Sequence, residues 1–202
     1  MTARRRRSDE SGFTLIEVII ASAILLLATT SIYRVFNSSS KSVAMLQNMV
    51  EEQADARYAL ATVQSDLRNA FSGSDTVPQI SNLGATTLTF TAADRTTPIH
   101  LRRITYTLAA GVLSRSSLTS TNTYTTSPMT WTWPGTTPTA VALVSGVSNT
   151  TVFVFKDASG AVTATPANVT LVQITLTVKS TTATASQKPE TYTTSIRMRG
   201  KG

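Results

Sequence analysis

The sequence predicts an α+β protein, in which a long N-terminal helix with a membrane-spanning first half packs on an antiparallel β-sheet domain. Three observations predict it. Residues 13–33 are apolar apart from one acid, and no proline or glycine interrupts residues 13–72. After Asp75 the chain turns rich in Thr and Ser, with apolar residues at every second position. A length of 202 residues with 41% hydrophobic content suits one domain with its own core plus an appendage. The implied division is 1–12 as a leader, 13–71 as the helix with its span at 13–33, and 72–202 as the β-rich domain.

The first element is the run FTLIEVIIASAILLLATTSIY, residues 13–33. As a helix rising about 1.5 Å per residue it reaches roughly 31 Å, the thickness of a hydrocarbon core. Arg4, Arg5, Arg6 and Arg7 precede it, and the positive-inside rule holds that end in the cytoplasm, with the remainder outside. Three plainer readings compete: an ordinary signal peptide, a simple single-span anchor, and a buried core helix. The first lacks a clear A-x-A cleavage site and has an odd early acid; the four arginines argue against the third.

Glu17 carries the sharper reading. A carboxylate within a span costs about 3 kcal/mol on insertion scales, so it needs a partner. No basic residue lies in the same apolar stretch. Cleavage after Gly12 would give Phe13 a free amine, on this chain or on a staggered neighbour, and a buried charge pair of that kind sets register. The run Gly12-Phe13-Thr14-Leu15-Ile16-Glu17, between a short basic leader and an apolar helix, resembles the class III signal of type IV pilins and pseudopilins. The resemblance implies cutting by a membrane-embedded prepilin peptidase between Gly12 and Phe13, N-methylation of Phe13, and Glu17 as the assembly carboxylate. It also implies other pilins or pseudopilins and an inner-membrane assembly platform as partners.

Beyond Arg34 the helical period continues through Val43, Leu46, Val50 and Ala54, then Leu60, Val63, Leu67 and Phe71. Lys41, Gln47, Glu51, Glu52, Asp55, Gln64 and Asp66 fall on opposite faces. A single helix over 13–72 would be about 90 Å long, weakest at Asn37–Ser40 and stopped by Ser72-Gly73-Ser74-Asp75 with Pro78 beyond. Strand alternation follows at Thr87–Thr91 and at Ile99–Arg102, with a slip near Arg103. Ile104–Leu108 and Val112–Arg115 form a hairpin about Ala109-Ala110-Gly111. Val152–Phe155, a turn at Asp157–Gly160 and Val162 suggest a second hairpin, and Val169–Val178 and Tyr192–Met198 two more strands. Residues 116–139 read as a surface loop. Arg103–Leu108 with Leu113-Ser114-Arg115, then Phe153–Gly160, then the arginine-bearing Ser195–Arg199, resemble in order the W-type minor pilins and J-type pseudopilins.

Chemistry-bearing residues are sparse. There is no cysteine, hence no disulfide and no thiolate site, and His100 is a lone histidine in a strand pattern. No phosphate loop, nucleophile elbow or EF-hand occurs. Asp157–Gly160 has oxygens for Ca²⁺ but reads first as a turn. No enzyme, cofactor or metal is expected. The formal charge of +7 loses four arginines and two acids with residues 1–12, leaving 14 Lys/Arg against 9 Asp/Glu. Outside the leader the one basic cluster is Arg102-Arg103. Trp131 and Trp133 are expected to cap the core beneath the loop; the rival reading makes them an adhesive or single-strand stacking patch.

The expected function is therefore that of a minor pilin or pseudopilin, taking part in assembly of a type IV pilus or type II secretion pseudopilus. The alternative is an adhesin or DNA-uptake subunit whose exposed domain binds a ligand through Arg102, Arg103, Arg115, Trp131 and Trp133.

Overall fold

The computed structural model describes residues 12–71, 79–94, 97–123, 131–179 and 188–198. The predicted helix stop at Ser72–Asp75, Pro78, the leader before Gly12, and Arg199 lie outside these residues. The architecture is α+β: one long helix and antiparallel sheets of five and three strands. Two compact units divide the chain, one ending at Leu46 and the other starting at Gln47.

Helix α1 runs Leu15–Arg68 and continues without a break through Asn37–Ser40, where weakness was expected. It ends four residues before the predicted 72. Asn69 N–H and Ala70 N–H donate to the carbonyls of Asp66 and Leu67, tightening the last turn, while Asn69 Nδ2 donates to Ser65 O at 2.7 Å. Phe71 N–H then donates to Thr91 O at 2.8 Å, and Ala70 bridges Ala92, so the chain leaves the helix by joining a strand.

Within the unit from Gln47, the helix buries Ala56, Ala59, Val63 and Leu67. Val63 and Leu67 are buried as predicted and Leu60 packs against the core, while Ala56 and Ala59 replace Val50 and Ala54 in the row. Ala54 and Phe71 are exposed, and Val50 remains 65% exposed, because the two alanines let the helix approach the sheets closely on a neighbouring face. Asp66, assigned to the polar side, also turns inward.

The five-stranded sheet has the order β1 (Ile80–Leu83), β2 (Thr87–Ala93), β3 (His100–Ala109), β4 (Val112–Thr123), β5 (Val141–Val144). The predicted hairpin is β3–β4. Its turn is the two-residue Ala110-Gly111, both at positive φ (49° and 75°), a primed turn that matches strand twist. β4 runs on to Thr123, so Ser116–Thr123 is strand and not the predicted loop. The slip near Arg103 is absent from the β2–β3 register; the irregularity falls on β3–β4 between His100 and Arg102.

The second sheet is β6 (Phe153–Lys156), β7 (Leu171–Val178), β8 (Glu190–Arg197). β6 pairs with β7, and the expected local hairpin reduces to a single bridge between Lys156 and Val162. Alternating Val172, Ile174, Leu176 and Val178 of β7 join Leu88, Phe90, Ile104 and Tyr106 and the helix row in one core.

Candidate functional site

The N-terminal segment is built as a helix start. Thr14 stands just before the helix and Glu17 three residues on, the spacing of a capping box. The Glu17 N–H donates to the Thr14 carbonyl at 3.1 Å and faces Thr14 Oγ1 at 3.4 Å. A carboxylate in this first turn also interacts favourably with the helix dipole, by about 0.3–1 kcal/mol. The Thr14-x-x-Glu17 spacing is the sequence signal of this local role. Gly12 and Phe13 precede the helix, exposed, with nothing near the space that a Gly12 side chain would enter.

Four hydroxyls inside the apolar run are bonded back to the helix itself. Ser22, Thr29, Thr30 and Ser31 each donate to the carbonyl four residues back, at 2.7–2.8 Å. They therefore enter an apolar phase satisfied. The Glu17 carboxylate differs: it has no hydrogen-bond partner among the described residues. Helix α1 is long and apolar enough to cross a membrane, and its apolar window has no buried residue.

Residues 7–33 match the prokaryotic N-terminal methylation motif. The match supports a pilin-like chain with a class III signal, processed by a prepilin peptidase, anchored in a membrane and assembled with other pilins. No curated protein matches the chain.

In the unit from Gln47, the suspected ligand residues fall in three different settings. Arg102 pairs with buried Ala92 on the core side of β3, and its Nε is buried without a hydrogen-bond partner among the described residues. Arg103, next along the strand, points to the opposite face, where its guanidinium lies 4.2 Å from the Trp133 ring centroid. Arg115 is committed to Asp66, with Nε 2.7 Å from Oδ2.

Trp133 stands on the strand face away from the main core, and so does Leu101, which is fully buried there and outside the main cluster. The segment carrying both tryptophans is tied to the end of β4: Thr121 N–H donates to Thr132 O, and Thr132 N–H to Asn122 Oδ1, each at 2.9 Å. His100 Nδ1 lies 3.1 Å from Ser120 O, half-buried in the sheet.

Two further groups are electrostatically shaped. Tyr106 donates to Asp66 Oδ2 at 2.6 Å, and burial, reinforced by that carboxylate, pushes its phenol far above the usual range. Burial pulls the Arg115 guanidinium down, but the hydrogen bond and charge of Asp66 hold it net above its ordinary value. Asp157 Oδ1 accepts from Ser159 N–H, Ser159 Oγ and Ala161 N–H at 2.9, 2.6 and 3.0 Å, an Asx turn. No group of three or more His, Asp or Glu side chains suited to a metal occurs among the described residues.

Proposed function

We propose that the chain is a structural subunit of a type IV pilus or type II secretion pseudopilus, a minor subunit of the W/J kind. The basic leader stays in the cytoplasm and the domain outside. Prepilin peptidase cuts between Gly12 and Phe13 and methylates the Phe13 amine. The apolar helix then passes from membrane to a bundle of neighbouring helices, where Glu17 meets a terminal amine. No bond chemistry is performed by the subunit itself; its work is positional.

The observation that carries this reading is the Glu17 carboxylate, without a hydrogen-bond partner among the described residues, in a run where Ser22, Thr29, Thr30 and Ser31 bond back to the helix. Leaving it uncompensated in lipid costs about 3 kcal/mol, several times the helix-dipole benefit. An amine partner removes that imbalance. The order of strands and the arginine-bearing last strand support the minor-subunit assignment by resemblance.

Intact mass of the native protein tests the processing step: the mature chain should begin at an N-methylated Phe13, and a functional chain beginning at Met1 rejects the proposal. Glu17→Gln tests the pairing step. It keeps the helix-start hydrogen bonding and removes the charge, so cleavage and insertion should be normal while incorporation into filaments fails. Normal incorporation would eliminate the pairing.

A further inference from the structure

The outward face of the five-stranded sheet is laid with hydroxyls in register. Along β2 and β3 the apolar side chains Leu88, Phe90, Ile104 and Tyr106 turn to the core, which sends their neighbours outward. Cross-strand pairing then sets Thr89, Thr105 and Ser116 in one row and Thr87, Thr107 and Ser114 in the next. The Thr89 and Thr105 hydroxyls are 3.1 Å apart. One outward step beyond Thr105 is Arg103, over the Trp133 ring.

Threonine pairs stabilise a sheet by themselves, and that explains why they face each other. It does not explain why both rows lack charge, when solvent faces of strands ordinarily carry Lys and Glu. The neighbouring cation, Arg103, is spread over an indole. A polyanion such as DNA is held by several free cations along its path. Here Arg102 is on the core side and Arg115 is bound to Asp66, so the face offers no such path.

What it does offer is a grid of groups that both donate and accept, spaced by about 4.8 Å between strands, beside an aromatic ring. That spacing is comparable to the rise per sugar of an extended β-linked glycan, whose hydroxyls match the grid and whose C–H faces stack on indole. We infer that the outer face of β2–β3–β4, ended by Trp133, docks a neutral polysaccharide. The inference is independent of leader processing and of the role of Glu17.

The mature full-length chain, held in a polyoxyethylene detergent so that no sugar headgroup competes, should co-sediment with insoluble β-1,4-glucan. Retention should persist between roughly 50 and 500 mM salt, since few ions are displaced. The double variant Thr105→Val, Ser116→Ala keeps strand shape and should weaken retention at least about fivefold, as should Trp133→Ala. Three results overturn the inference: no sedimentation, retention that salt abolishes and DNA competes away, or a double variant that binds like the parent. Pelleting without glucan, the mark of a second copy on this face, overturns it as well.

Discussion

Arg115 Nε lies 2.7 Å from Asp66 Oδ2, joining strand β4 to the last two turns of the helix. Tyr106, directly across from Arg115 in the sheet, donates to the same oxygen at 2.6 Å. Two cross-strand neighbours thus converge on one helix carboxylate. The buried row of the helix is Ala56, Ala59, Val63 and Leu67, all apolar and without a directional contact that would resist sliding. A polar pin does resist it: advancing the helix by one residue rotates Asp66 by about 100° away from both donors.

Asp66→Ala should therefore lower stability by about 2–4 kcal/mol, because it strands a partly buried guanidinium and a buried phenol together. Asp66→Ala combined with Arg115→Met should cost less than the two single changes added. Urea unfolding followed by fluorescence of the two tryptophans reads both. A single-variant loss under about 0.5 kcal/mol would show that the pin contributes no more than an exposed pair.

Tyr106 predicts an alkaline limit. Its folded pKa is raised above the ordinary 10.0, first by burial and then by Asp66, so the folded state retains a proton that the unfolded chain releases. The associated stability is fully present below pH 10 and is lost as pH rises beyond it. Absorbance should show Tyr106 ionising only together with unfolding. Tyr106→Phe should flatten that alkaline decline while costing about 1 kcal/mol near neutrality, where Arg115 still holds Asp66. An equally steep decline in the variant would assign it elsewhere.

Legibility followed signal length. The apolar run, the Gly12-Phe13 junction and Glu17 stand out because a charge within twenty apolar residues has no background to hide in. Long alternations, as in β7, read directly. Strands β1 and β5 have four residues each and, unlike the equally short β6, bury no two side chains at alternate positions. Ser116–Thr123 reads as loop because, Leu118 apart, both of its faces bear polar side chains, so no apolar alternation marks the strand. Helical periodicity puts Asp66 on the polar side because it sorts polar from apolar and has no means of signalling an inward carboxylate whose partners lie 40 and 49 residues away. Arg102 and Arg103 looked like one basic patch, although adjacent strand residues point to opposite faces.

Two backbone substitutions should act in opposite directions. Ala110 holds φ 49°, a conformation that costs a residue with a Cβ about 1–2 kcal/mol, so Ala110→Gly should stabilise by about 1 kcal/mol. Gly146 has φ 74°, and a Cβ there would sit 2.5 Å from the Lys179 carbonyl oxygen. Gly146 O also accepts from Lys179 N–H at 2.9 Å, so the two segments cannot separate without losing that bond. Gly146→Ala should cost at least about 2 kcal/mol. Unfolding midpoints that move in the same direction for both would contradict this account.

The last prediction concerns the Asp157 turn. The Ser159 hydroxyl foremost holds its carboxyl below the ordinary 3.8; desolvation opposes it, and the N–H groups of Ala161, Ser159 and Gly160 add to the lowering. With the folded value depressed, its contribution is present above the unfolded value and disappears as pH falls through the folded one. Carboxyl-carbon NMR should find the midpoint under 3.8. Ser159→Ala, which deletes the leading cause, should carry it back up. Because Oδ1 already accepts three hydrogen bonds, millimolar Ca²⁺ should leave the midpoint where it is. A Ca²⁺-dependent shift would turn the segment from a turn into an ion site, and a wild-type midpoint at or above 3.8 would mean that the Ser159 bond does not persist in solution.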